Sequence, residues 1–246
     1  MIKLRMKKVY VFFSSVLLFM LHLPFAFSSS KPVIVESAFK THAMVAAKSS
    51  MEMIYEDLDL NSMGLSHNAF EAAIKGYEYL KTQGKLGNDN VISIVDFTRP
   101  STEKRLFVLD VKSEKVLFNT YVSQGQNTGE KFAQKFSNRP ESFQSSLGFY
   151  VTSGTYMGKN GFSMRLNGLE SNINDRAEER AIVMHGAPYV SENFIRSRGF
   201  LGRSWGCPAV PQQLNKPIIE KIKNGSCLFI YSEDSHYLSS SKILNS

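Results

Sequence analysis

The chain has 246 residues, of which 43% are hydrophobic and 21% charged, with a formal net charge of +7 and two cysteines. Two cysteines exclude a disulfide scaffold, and the length suits one sizeable domain plus an appendage. Four of the positive charges, Lys3, Arg5, Lys7 and Lys8, fall in the first 28 residues, which hold no acid; the remainder carries about +3, too little for a nucleic-acid-binding stripe.

Residues 1–28 run from a basic start through an apolar stretch broken by Pro24 to Ala26 and Ser28. Basic, apolar and small-residue regions in that order predict a secretory signal peptide rather than a membrane anchor, because the apolar core is shorter than the roughly 20 residues a spanning helix needs. The expected location is therefore the periplasm or cell envelope. A helical region follows, over 29–88, with one helix expected across residues 35–60. A second is capped by Ser66 or Asn68 and marked by Phe70, Ile74, Tyr77 and Leu80 at helical spacing. These helices are candidates to cover a cleft, dock a partner or complete a core.

From residue 89 the texture becomes β. Strands are expected at 91–97, 105–111, 116–122, 148–152, 162–166, 181–184 and 227–231, with residues 112–115 as a hairpin link. Residues 123–146 are polar, contain Gly, Asn and Pro, and read as a long loop and candidate lid. The expected fold is mostly β, a mixed or antiparallel sandwich or barrel over 89–233, with an N-terminal helical appendage and a polar tail at 234–246. No dinucleotide or phosphate-binding glycine loop occurs, and no cofactor is expected.

The chemistry concentrates in two stretches. Cys227 sits in an apolar strand and reads as a small buried hydrophobe, although a bridge to Cys207 is the alternative in an oxidising compartment. Cys207 lies in the turn Ser204-Trp205-Gly206-Cys207-Pro208. A nucleophilic thiol needs a base and donors for the oxyanion formed on attack. Gly206 permits a sharp turn, and the amides of Gly206 and Cys207 are candidate oxyanion donors. Among the histidines, His185 ends a core strand and is followed by Gly186, so it is the candidate base, with Ser204 a candidate partner to fix its tautomer. Arg165, Arg196, Arg198 and Arg203 are candidates to grip substrate carboxylates, since no arginine follows Cys207. Trp205 is either a cleft wall or a packing residue. A metal site from His185, Cys207, Cys227 and His236 lacks the usual paired spacing, and none is expected.

His185-Gly186 followed by Ser204-x-Gly206-Cys207 resembles the paired motif of the murein L,D-transpeptidase catalytic domains, the YkuD-like family, in a divergent branch. Trp205 stands where most members have His, and Pro208-Ala209 replaces a hydrophobic residue and Arg or Asn. The resemblance covers about residues 66–231. It implies acyl transfer at peptidoglycan stem peptides. Cys207 would attack the meso-diaminopimelate carbonyl of a tetrapeptide and release D-Ala, with His185 as base and then acid, giving 3–3 cross-links. It also implies acylation by carbapenems; the candidate substrate-contact residues are Gly186, Trp205, Arg203 and Arg165. The alternatives are an L,D-carboxypeptidase or endopeptidase of the same fold, or a non-catalytic wall-binding protein. A sortase is disfavoured, because that class places its arginine after the cysteine.

Overall fold

The computed structural model describes residues 53–246. The expected signal peptide and most of the first expected helix lie outside the described residues. Residues 53–57 are helical and lead by turns into α1, His67–Thr82. Ser66 caps α1, its hydroxyl accepting from the Ala69 amide.

Eight strands follow: β1 Val91–Asp96, β2 Leu106–Asp110, β3 Lys115–Thr120, β4 Gly148–Gly158, β5 Gly161–Gly168, β6 Val183–Ala187, β7 Ala209–Pro211 and β8 Cys227–Tyr231. They form one mixed sheet in the order β3-β2-β1-β8-β4-β5-β6-β7. The ladders β1–β8 and β6–β7 are parallel and the others antiparallel. The fold is thus mostly β and barrel-like, because the chain leaving β3 at one end of the sheet crosses to the other. There the Ser123 amide donates to the Ala209 carbonyl at 2.8 Å, and Gly125 bridges Ser204. The hairpin β4–β5 is longer than expected, and β7 is too short to show in the sequence.

The core does not divide at residue 88. Phe70, Ala73, Tyr77 and Leu80 of α1 join β1 and β8 in one buried cluster. Gly76 explains how close the helix comes: a β-carbon there would lie 2.0 Å from the Phe149 ring, which stacks on Phe229 at 4.0 Å. Glycine inside a helix costs up to about 1 kcal/mol, and the close approach offsets that cost.

Three helices were not legible: α2 Glu192–Arg198, α3 Gln212–Ile222 and α4 Ser235–Ser240. α3 contains Pro217, which reads as a breaker, yet Ile218, Ile219 and Ile222 behind it are fully buried. Residues 234–246 are no loose tail. Tyr237 and Ser241 donate to the buried Glu170 carboxylate, and Ile243 and Leu244 are buried. Cys227 lies in β8, with three strands between it and β7. At about 4.8 Å per strand that is far beyond the 7 Å a disulfide spans, and both cysteines are free.

One buried cation ties this frame to the site. Arg105, fully enclosed before β2, donates to the carbonyls of Val122 at 2.9 and 3.1 Å and Arg99 at 3.0 Å, and to the Gln124 side chain. Its guanidinium lies over the Phe97 ring at 4.7 Å. Burial pulls it down to about 9. The strap at 122–124 is thereby held where it flanks β7.

Candidate active site

The parallel register of β6 and β7 sets His185 opposite Ala209. Cys207 lies two residues before Ala209, level with Val183, so thiol and imidazole are offset by two strand residues, about 6.6 Å along the chain. Alternation puts Val183 and His185 on one face of β6. The thiol is seated at the start of that strand, accepting from the Val183 amide at 3.5 Å and donating to the Ala181 carbonyl at 3.7 Å. Ala181 holds a left-handed backbone, φ +52°, in a region that costs a non-glycine residue on the order of 1 kcal/mol.

His185 is buried, and its Nδ1 lies 3.0 Å from the Gly186 carbonyl. A carbonyl can only accept, so Nδ1 carries the proton and Nε2 is the basic nitrogen. Burial lowers its pKa below the usual histidine value, with the Gly186 bond opposing; the ring is therefore neutral at pH 7. Burial likewise pushes the Cys207 thiol up, while the Val183 amide and the Arg180 cation pull it down. The resting pair is thiol and imidazole, not thiolate and imidazolium, and base assistance must come during attack.

The turn is built differently from expectation. Ser204 does not reach His185. Its hydroxyl donates to the Cys207 carbonyl at 2.6 Å and accepts from the Gly206 amide at 3.1 Å. That occupies the Gly206 amide, which was expected to face an oxyanion. The Cys207 amide makes no hydrogen bond among the described residues, and it remains the candidate oxyanion donor. Gly206 is needed for shape: its φ is +121°, and a β-carbon would meet the Gln144 carbonyl oxygen at 2.7 Å.

The candidate substrate residues divide. Gly186 is bare because α3 presses on it, a β-carbon there lying 2.9 Å from Asn215 Cβ; packing, rather than ligand contact, accounts for it. Arg203 braces the 123–146 loop, donating to the Gln126 carbonyl at 3.0 Å and lying 3.9 Å from Glu130. Arg165 is opposite Val183 in the β5–β6 register, so it shares the face of His185, and its exposed guanidinium stacks over Tyr156 at 4.7 Å. Arg196 pairs on the surface of α2 with Glu192, and Arg198 is exposed. Trp205 is 70% exposed with its ring 5.6 Å from Phe143; it walls the surface beside the thiol and packs no core.

Two residues at the thiol escaped the sequence reading. Tyr189 lies close enough for the Cys207 charge to act on it. Burial first, and that charge second, push its phenol up to about 12. Gly202 is bare where a β-carbon would lie 2.4 Å from Tyr189 Cβ and 2.7 Å from its ring. Arg180, just before β6, donates to the Ser137 carbonyl at 2.8 Å, the Gln144 carbonyl at 2.5 Å, the Ser142 hydroxyl at 3.3 Å and the Ser146 hydroxyl. Those bonds tie the 137–146 part of the loop to the residue at the entry to β6. The loop contains an open cleft of about 720 Å³ lined by Gln126, Glu130, Lys131, Phe132, Lys135 and Gln144, among others. Among the described residues no three His, Cys, Asp or Glu side chains gather into a metal-binding group.

A barrel-like mixed sheet that sets a glycine-turned cysteine beside a strand histidine defines a class, the L,D-transpeptidase catalytic domains. Residues 61–231 match the family model for the L,D-transpeptidase catalytic domain, more than half of the chain, and the protein belongs to that YkuD-type family. No curated protein matches it. Solved structures similar to it are remote. An L,D-transpeptidase from Mycobacterium smegmatis shares 12% identity at TM-score 0.38, over 58% of this chain and 59% of that one. An L,D-transpeptidase from Stackebrandtia nassauensis shares 13% at TM-score 0.36, over 66% and 65%. L,D-transpeptidase 3 from Mycobacterium tuberculosis, in complex with a faropenem-derived adduct, shares 12% at TM-score 0.35, over 58% and 60%. The chain thus spans under two thirds of the length of these structures.

Proposed function

We propose that the protein is an exported cysteine acyltransferase of peptidoglycan that forms 3–3 cross-links. The carrying observation is the site itself: a thiol seated on β6, a neutral imidazole two residues along the same strand, and an unused Cys207 amide, all within an L,D-transpeptidase catalytic domain. In the first step Nε2 of His185 takes the thiol proton as sulfur adds to the meso-diaminopimelate carbonyl of a stem tetrapeptide. The Cys207 amide receives the developing oxyanion. Collapse breaks the C–N bond to D-Ala, and the imidazolium returns its proton to the departing amine, leaving a thioester. In the second step the amine of another stem adds to that thioester, its proton passes to His185, and the thiol is restored. Arg165, exposed on the His185 face, fits a substrate carboxylate. Carbapenems acylate the same sulfur.

Mass spectrometry of the mature protein incubated with disaccharide-tetrapeptides, beside Cys207→Ala, tests this. Tetrapeptide dimers linked 3–3 and lost in the variant are expected. Tripeptides alone would make it an L,D-carboxypeptidase. Cleavage of pre-formed dimers would make it an endopeptidase. No product and no carbapenem adduct on Cys207 would leave a wall-binding protein. Export predicts that protein recovered from the cell envelope lacks residues 1–28.

A further inference from the structure

Arg180 holds an unusual position for a buried cation. Half-buried, it spends its donors on four neutral oxygens of the 137–146 segment, two carbonyls and two hydroxyls, and no carboxylate pairs with it among the described residues. A buried charge left uncompensated is costly. Arg105 braces carbonyls in the same way; Arg180 differs in lying against the turn that carries Cys207. A β-carbon on Gly206 would come 3.2 Å from Arg180 Nη2, and the next residue, Ala181, supplies the carbonyl that receives the Cys207 thiol.

Among the described residues, Tyr150 and Cys207 are the ionisable groups whose charges act on Arg180. Tyr150 is fully buried, donates to the Ser146 carbonyl at 3.0 Å and is pushed far above the usual phenol range, so it stays neutral. Of the other groups around the sulfur, His185 is neutral until it accepts the proton, and Tyr189 keeps its own. Of the protein's own groups named here, the one whose anion can face Arg180 is Cys207.

We propose that Arg180 is a positioning residue for the nucleophile: its guanidinium, clamped by the 137–146 segment, stabilises the Cys207 thiolate as His185 removes the proton. The proposal rests on Cys207 being the nucleophile. It couples the loop to the chemistry, since the four oxygens that orient the cation all belong to that segment. A neighbouring positive charge favours the thiolate and lowers a thiol pKa.

The test reads the thiol directly, without a wall substrate. Iodoacetamide alkylation of the Cys207 peptide, quantified by mass spectrometry from pH 5 to 11, gives its apparent pKa in the full mature protein. Arg180→Met is expected to move that value up by about one to three pH units, and Arg180→Lys by clearly less. Where Arg180→Met does not fold, Arg180→Gln, which keeps two donors for the loop carbonyls, carries the same comparison. An unchanged profile in the neutral variant, or equal shifts in Lys and the neutral variant, overturns the proposal and leaves a merely structural clamp. Because alkylation needs no peptidoglycan, a shifted pKa beside absent 3–3 products would fault the proposed reaction and not the role of Arg180.

Discussion

Ser204 Oγ accepts from the Gly206 amide at 3.1 Å and donates to the Cys207 carbonyl at 2.6 Å, closing the turn that carries Cys207 upon itself. The same residue is stitched to the strap across β7, its amide donating to the Gln124 carbonyl at 2.9 Å. Ser204→Ala leaves a buried donor and acceptor without their partner, at a cost of about 1–3 kcal/mol. Thermal melting should fall accordingly, and carbapenem acylation should slow because the Cys207 amide loses its aim. Ser204→Thr, which keeps the hydroxyl, should restore most of both; equal loss in Thr and Ala would show that the hydroxyl does not organise the turn.

Gly206→Ala places a β-carbon 2.7 Å from a backbone oxygen at φ +121°, a conformation that side chains rarely adopt. The expected outcome is at least about a tenfold loss of acylation rate, roughly 1.4 kcal/mol in the barrier, together with a lower melting temperature. Gly154→Ala is the control, since nothing lies within 4 Å of its β-carbon. Intact acylation in the Gly206 variant would mean that the turn shape is not what presents the thiol.

The pH profile reports the base. Burial depresses the His185 pKa below its ordinary 6.5, so the ring is the free base at and above that pH and is lost only as pH falls below it. Acylation should therefore fall on an acid limb whose midpoint lies below 6.5. His185→Gln should reduce the rate by about 10²–10⁴ and abolish that limb. Stopped-flow carbapenem acylation against pH distinguishes the outcomes; an acid limb centred above 6.5 would indicate a different base.

Cys207 and His185 were legible because each sits in a local pattern with a physical meaning, a thiol between Gly206 and Pro208 and an imidazole ending an apolar strand. The core strands were legible for the same reason. Arg180 was not, because its partners are oxygens of Ser137, Ser142, Gln144 and Ser146, some forty residues upstream, and no spacing in the chain announces a contact of that kind. Ser204 was found but given the wrong partner, since only coordinates decide whether its hydroxyl turns to the imidazole or to its own turn. α3 hid behind Pro217. The docked C-terminus hid behind its serines, whose composition masks Tyr237, Ile243 and Leu244.

That C-terminus gives the last prediction. Glu170, nearly fully buried, accepts from the Phe149 amide at 2.7 Å, from Tyr237 at 3.3 Å and from Ser241. Burial raises its pKa above the ordinary 4.5, and the three bonds oppose that rise without cancelling it. The folded carboxyl therefore binds its proton more tightly than the unfolded one. Between 4.5 and the folded value the native state holds more protons, so this group's contribution to stability declines as pH rises through that window. Below 4.5 the carboxyl is neutral in both states and the decline is absent; above the window it is complete. Glu170→Gln keeps the size and an accepting oxygen but cannot ionise. Melting temperatures of the two proteins should converge towards pH 4 and separate towards pH 7, with the wild type losing ground to the variant. A wild type that instead gains on the variant as pH rises would mean that the bonds from Phe149, Tyr237 and Ser241 outweigh burial, and that the C-terminus is held by an ionised carboxylate.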